Sequence, residues 1–274
     1  MQMQRQVFFV SDRTGITAEA LGNTLLTQFD GVEFVKLTLP FINTPERAQE
    51  TVARINGAAG EAAGRPLVFS TTVSDEIRAI LRTCEGFFLD LFDSHVPALE
   101  RELGQASAHR VGRVHGMVDA ERYHARIDAI NFAMSHDDGL TQKNYERADV
   151  ILLAPSRCGK TPTCLYMALQ HGLYAANYPL TEEDLEHARL SEVLVKFQSR
   201  LFGLTSLPER LERVRGERRP GSKYASLDQC AYELRQAEQL YRRYNVPFVN
   251  SSDMSVEEMA VVIIQEKGLR RQTF

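Results

Sequence analysis

The sequence predicts an α/β protein of two domains: an N-terminal doubly wound α/β domain, and a C-terminal α/β domain built around a phosphate-binding loop. Three observations carry that expectation. Short apolar runs alternate with amphipathic stretches through the first half, the pattern of a mostly parallel sheet covered by helices. A second series opens at ADVILLA, residues 148–154, a continuous apolar run of the kind buried on both faces of a sheet. Directly after it comes SRCGKT, residues 156–161, a glycine-lysine-threonine turn in front of a helical pattern.

Taken in order, QVFFV (6–10) is the first strand, closed by the polar turn SDRTG, after which Ile16, Ala20 and Leu25 keep roughly helical spacing. FVKLTLP (34–40) is the second strand and stops at Pro40. Thr44 then stands as an N-cap with Pro45 at the first helical position, opening a helix to about Ala59. PLVFSTTV (66–73) is the third strand, and Ser74 caps the helix EIRAILRTC. Residues 86–113 carry no clear period, and 104–113 reads as a loop. In 119–134, Tyr123, Ile127, Ile130 and Met134 fall on one helical stripe. The polar turn HDDG (136–139) follows, and the domain boundary is expected at 136–147, giving domains 1–140 and 141–274.

The second domain starts with the strand ending at Ala154, the loop, and a helix from Lys160 to about His171. Two shorter helices and a basic segment are expected over 181–223. Leu227, Cys230, Leu234, Ala237, Tyr241 and Tyr244 mark a long helix over 225–244. PFVNSSD (247–253) is a last strand, and Ser255 with Glu258 forms a capping box before the final helix.

Composition excludes several classes. The 274 residues are 43% hydrophobic and 25% charged, an ordinary globular balance, and the net charge of −4 speaks against bulk binding of nucleic acid or acidic lipid. No stretch approaches the roughly 20 apolar residues that span a bilayer, and the run before Ser11 is too short for a signal-peptide core. The four cysteines, Cys84, Cys158, Cys164 and Cys230, form no CxxC pair and no zinc spacing, so reduced thiols in a cytoplasmic protein are expected.

The chemistry concentrates in Ala154-Pro155-Ser156-Arg157-Cys158-Gly159-Lys160-Thr161, a phosphate loop except for alanine at its first position. Backbone N–H groups of such a loop form an anion nest at the positive end of a helix dipole. Gly159 admits the backbone close to phosphate, Lys160 supplies a point charge, and the Thr161 hydroxyl is placed to ligate magnesium. Pro162 is tolerated because N–H groups of a helix's first turn have no intrahelical acceptor. The second domain therefore reads as a P-loop kinase-like α/β domain.

The apolar strand ending in aspartate that usually accompanies such a loop is missing downstream, and Asp253 lies too far from its strand's apolar part. Asp137-Asp138 is the nearest carboxylate pair upstream; by composition it reads first as a polar turn closing a helix, with Gly139 as C-cap. His115 sits in a loop-like region and by itself suits a structural role. The arginines Arg210, Arg213, Arg215, Arg218 and Arg219 could neutralise transferred phosphate, or form a solvated face with Glu209, Glu212 and Glu217. On the residues, the chain is a nucleotide-dependent phosphoryl-transfer enzyme, with a small-molecule kinase or a non-catalytic nucleotide sensor as alternatives.

The segments VFFVSDRTGITAEALG, HGMVDAERYHARIDAINFAMSHDDG, SRCGKTPTCLYMALQHGLYAANYPL, LFGLTSLPERL and YASLDQCAYEL together resemble the bacterial phosphoenolpyruvate synthetase regulatory proteins. These are relatives of the regulators of pyruvate, phosphate dikinase. The resemblance runs in order over essentially the whole chain. It implies a bifunctional enzyme: an ADP-dependent serine/threonine kinase that inactivates phosphoenolpyruvate synthetase by phosphorylating a threonine, and a phosphate-dependent pyrophosphorylase that restores it. It further implies ADP and inorganic phosphate as substrates, magnesium, the synthetase as protein partner, and a first domain used for docking. Asp137 or Asp138 becomes the candidate base, His115 a phosphate or target contact, and the arginine cluster a phosphate-gathering group. A homodimer is the default expectation for such an enzyme.

Overall fold

The computed structural model describes residues 3–58, 64–108, 120–139, 141 and 143–270. The chain divides into two compact units, 1–116 and 117–274, each with its own parallel four-stranded sheet.

In the first unit the elements run β1 (Met3–Val10), α1 (Ile16–Leu26), β2 (Val32–Leu39), α2 (Pro45–Gly57), β3 (Leu67–Ser70), α3 (Asp75–Leu81), β4 (Phe87–Asp90) and α4 (Val96–Leu103). The strand order is β2-β1-β3-β4. β1 is apolar at successive positions because both of its faces are covered. Phe8 and Val10 pack with Ala48 and Ile55 of α2 and Ile77 and Leu81 of α3. Val7 and Phe9 pack with Ala18 and Leu26 of α1. Helices on both faces of a parallel sheet are the doubly wound arrangement. Thr44 and Ser74 cap α2 and α3 as their positions predict, accepting from the Arg47 and Ile77 amides. The stretch 86–113 holds two elements that its sequence does not announce, β4 and α4. The expected loop at 104–113 is described only to residue 108.

The second unit runs α5 (Ala120–Ser135), β5 (Val150–Ala154), α6 (Lys160–His171), β6 (Ala175–Pro179), α7 (Glu182–Glu186), α8 (Glu192–Val195), β7 (Leu201–Thr205), α9 (Pro208–Arg218), α10 (Leu227–Arg243), β8 (Phe248–Asn250) and α11 (Val256–Glu266). The order β6-β5-β7-β8 places the central β5 at the point where connections switch direction, where open α/β sheets bind their ligands. Val150, Leu152 and Ala154 face a cluster with Met167 of α6 and Ile263 of α11. Ile151 and Leu153 face Leu240 and Tyr241 of α10. Tyr241 is fully buried, and its hydroxyl reaches the carbonyls of Leu153 (2.8 Å) and Leu204 (3.1 Å), joining β5 to β7. Gly203 makes room for that ring, since a Cβ there would lie 2.7 Å from Tyr241 Cε2.

Three expectations are corrected. The boundary falls near 116 rather than in 136–147, because Ala129 and Ala133 seat α5 in the β5 core; the polar HDDG turn lies within the second unit. The predicted stripe on α5 is rotated: Phe132, Ala129 and Ala133 are buried, while Tyr123 and Met134 are more than half exposed. The stretch 181–223 holds the two short helices α7 and α8 and the arginine-rich α9, but also strand β7 (Leu201–Thr205), which was not expected there.

Candidate active site

The site lies at the carboxyl end of β5. Its loop leaves the strand at Ala154, turns through two left-handed residues, Arg157 (φ 75) and Gly159 (φ 89), and enters α6 at Lys160. Gly159 is the N-cap of α6 and has no side chain to satisfy the first amides. Those N–H groups stay available to an anion. Pro162 sits exposed in this first turn, where its missing N–H has no cost. Thr163 closes the turn by donating its hydroxyl to the Gly159 carbonyl at 2.8 Å.

Lys160 is 4% exposed, and its ammonium donates to the Ala154 (3.2 Å) and Pro155 (3.1 Å) carbonyls. Burial pushes its pKa down, opposed by the negative charges of Asp138 and Asp137 nearby. A buried ammonium bound only by neutral carbonyls is poised to gain from an incoming phosphate. Cys158, inside the loop, is equally buried, and desolvation raises its thiol to about 11. It is an uncharged packing group at neutral pH.

The carboxylate that the sequence lacked downstream comes from upstream. Asp137 Oδ1 accepts from the Thr161 hydroxyl at 2.7 Å and from Asn177 Nδ2. Asn177, 1% exposed on β6, also places Nδ2 3.4 Å from Thr161 Oγ1 and accepts from the Asp138 amide at 2.8 Å. One asparagine thus ties the loop's threonine to both aspartates. Asp138 takes a left-handed conformation (φ 46, ψ 34) and lines the cleft. Behind the pair, His136 is buried and stacked 3.9 Å from Phe132; its Nδ1 faces the Phe132 carbonyl (2.8 Å) and its Nε2 the Lys143 carbonyl (2.7 Å). These contacts anchor the aspartate turn at both ends.

A cleft of about 300 Å³ opens between Asp138, the loop residues Ser156, Arg157 and Gly159, the α6 residues Lys160, Thr161 and Pro162, and the α9 residues Val214 and Arg218. That volume is at the lower end for a ligand site. Larger hollows occur beside Tyr241 and Phe248 (about 530 Å³) and beside Arg78 and Asp93 (about 390 Å³). Neither combines an amide nest with a lysine and a carboxylate, so the smaller cleft is the chemical one.

Of the five clustered arginines, Arg218 lines this cleft, while Arg210, Arg213 and Arg219 are exposed. Arg215 is turned inward and fully buried, on the same helical stripe as Leu211. It bonds the loop from behind and does not line the cleft. His115 lies outside the described residues. Sequence reasoning missed Asn177, whose signal was a polar residue inside the apolar segment LYAANYPL.

Oxygen donors without sulfur or imidazole suit magnesium, which binds through one or two carboxylates plus substrate phosphates. Thr161 and Asp137 fit that requirement. Among the described residues no cluster of three or more His, Cys, Asp or Glu could cage a metal unaided. Among them too, no helix is long and apolar enough to cross a membrane.

Residues 7–264 match the family model described as kinase/pyrophosphorylase. A relative from Pseudomonas aeruginosa is 50% identical over 272 residues, covering 99% of both chains. One from Alkalilimnicola ehrlichii is 50% identical over 273 residues, covering 100% of this chain and 99% of its own. One from Legionella pneumophila is 49% identical over 270 residues, covering 98% and 100% respectively. All three are provisionally named phosphoenolpyruvate synthase regulatory proteins.

Proposed function

The chain belongs to the kinase/pyrophosphorylase family. On that premise we propose that it transfers the β-phosphate of ADP to a threonine of phosphoenolpyruvate synthase, and removes it again with inorganic phosphate. The observation that carries this reading is the convergence of the phosphate loop, Lys160 and Asp138 on one cleft, with Asp137 bonded to the loop's Thr161.

The two aspartates take different work. Asp137 has one oxygen committed to Thr161 and Asn177, so it orients the loop's hydroxyl. Asp138 lines the cleft, its carboxylate making no such bond among the described residues, and acts as the general base. In the inactivating direction Asp138 takes the proton of the target threonine as its oxygen attacks the β-phosphorus. The bond from that phosphorus to the bridging oxygen breaks, and AMP leaves. In the activating direction an oxygen of inorganic phosphate attacks the phosphothreonine, the phosphorus–threonine bond breaks, protonated Asp138 returns a proton to the threonine, and pyrophosphate leaves.

Both directions handle a diphosphate, as ADP or as pyrophosphate, so one loop serves both. The incoming phosphate takes the position of the AMP phosphate. Lys160 and Arg218 offset the charge of two anions brought together. Magnesium, held by Thr161 and Asp137 with the substrate phosphates, supplies further charge neutralisation when bound. The first unit serves to dock the folded target, and His115 keeps the contact role implied by the family resemblance.

The test is product analysis with purified synthase. ADP should add one phosphate to a synthase threonine and release AMP; added phosphate should then remove it with formation of pyrophosphate. A small-molecule kinase would leave the synthase unmodified, and a nucleotide sensor would bind ADP with no AMP formed.

A further inference from the structure

Arg215 carries a charge that the reaction does not use directly, yet it is fully buried. A buried guanidinium is retained only where its donors and charge are met. Here they are met by three separate parts of the second unit. Nε and Nη2 donate to the Ser156 carbonyl in the loop at 3.3 and 3.1 Å. Nη1 donates to the Tyr224 carbonyl at 3.0 Å, and Nη2 pairs with Glu233 of α10 at 2.6 Å. The Tyr224 ring lies 4.2 Å from the guanidinium carbon, and its hydroxyl donates to Ser156 Oγ at 3.0 Å. Glu233 is itself fixed by Gln229 Nε2 at 3.0 Å.

Ser156 is therefore held twice, by its carbonyl and by its side chain. In a trans peptide the carbonyl and the following N–H point in opposite directions, and the described chain contains no cis peptide. Pulling the Ser156 oxygen towards Arg215 turns the Arg157 amide away from it. Arg157 is also the left-handed, non-glycine residue of the loop (φ 75). Such a conformation persists where surrounding contacts over-determine it. The two residues of this peptide line the cleft, whereas Arg215 does not.

We infer that Arg215, backed by Glu233 and Tyr224, is a positioning residue for the diphosphate group: it fixes the Ser156–Arg157 peptide so that the Arg157 amide faces the bound phosphates. Arg215 stands three residues before Arg218, which lines the cleft on the same helix. One helix thus sets the loop's backbone from behind and places a cation in front. The inference rests on the phosphoryl-transfer reading above, because it needs a diphosphate in the cleft.

Calorimetric titration of the full chain with pyrophosphate and with ADP, alongside thermal melting, tests it. Wild-type protein is the control for the functional reading; if it binds neither diphosphate, that reading fails whatever the variants do. Given wild-type binding, Arg215→Lys keeps the charge but loses the forked donors, and should weaken both diphosphates at least tenfold. Tyr224→Phe removes only the bond to Ser156 Oγ. It should weaken them about threefold with its melting temperature within two degrees of wild type. Binding of AMP, with one phosphate, should move less in both variants. If Arg215→Lys does not fold, Tyr224→Phe decides. Unchanged pyrophosphate affinity in folded variants, or equal weakening of AMP and ADP, would overturn the inference in favour of a purely architectural Arg215.

Discussion

Replacing Asn177 is the sharpest probe of the site, because this one side chain meets the loop's Thr161 and both aspartates. In Asn177→Ala, the bond to the Asp137 carboxylate disappears; a hydrogen bond to a charged group contributes about 1.5–3 kcal/mol. The Asp138 amide loses its acceptor at 2.8 Å, but Asp138 is exposed and water can replace it, which limits that loss to about 1 kcal/mol. The 3.4 Å approach to Thr161 is too long to add much. The sum is about 3 kcal/mol for the second unit, or roughly 6–12 °C in its melting temperature. The effect on rate should be larger than a stability loss explains. With Asp138 no longer held, a displacement of about 1 Å costs on the order of a hundredfold in phosphoryl transfer. Asn177→Asp keeps the acceptor for the Asp138 amide but sets a second negative charge against Asp137, and should fall below Asn177→Ala in both measures. The assay is AMP release per folded enzyme at saturating ADP and synthase, below the melting transition. Transfer within threefold of wild type in Asn177→Ala, or an Asn177→Asp variant as active as wild type, would refute the assignment of Asn177 as the tie between loop and carboxylates.

Other outcomes are expected from the same geometry. Asp138→Asn should abolish transfer in both directions while ADP binding stays within about threefold, whereas Asp137→Asn should weaken magnesium-dependent ADP binding; the reverse pattern in titration and turnover would exchange their roles. Gly203→Ala should destabilise the second unit by about 2–3 kcal/mol in denaturant unfolding, because its Cβ would meet three Tyr241 ring atoms at 2.7–2.8 Å; an unchanged midpoint would contradict the packing. Cys158 has a folded pKa raised from 9.0 to about 11 by burial. Its unfolded thiol ionises first as pH rises, so its contribution is complete below pH 9 and declines by up to about 1.4 kcal/mol per unit between pH 9 and 11. Cys158→Ala should flatten that alkaline decline, and an identical pH slope in the variant would contradict the burial argument.

Much of this architecture is legible in the residues. The Val7–Val10 end of β1 and the whole of β5 announce themselves because strand segments covered on both faces are apolar at successive positions. Thr44, Ser74 and Ser255 are readable as caps because capping is local chemistry. The loop is readable because each residue has its own task. β6 and β7 are not, and the reasons are physical. Asn177 and Pro179 interrupt the apolar run of β6, and Asn177 is polar because it faces the site. Gly203 weakens the strand signal of β7 because Tyr241 needs the space. The role of Asp137-Asp138 depends on α5 folding back onto α6 and β6, a long-range packing of Ala129 and Ala133 that no local pattern shows. Arg215 belongs to a run of arginines in sequence, and only the helix stripe it shares with Leu211 separates it from its exposed neighbours.

The proposed cycle has one cleft move one phosphoryl group between ADP, a synthase threonine and pyrophosphate. It is tested most directly by following ADP labelled at the β-phosphorus, with purified synthase and with Lys160→Ala as the control. Label is expected on a synthase threonine with the wild-type chain and none with the variant. Addition of unlabelled phosphate should then release that label as pyrophosphate. Label arriving only from the γ-position of ATP, accumulating on a small molecule, or leaving the threonine as free phosphate would contradict it.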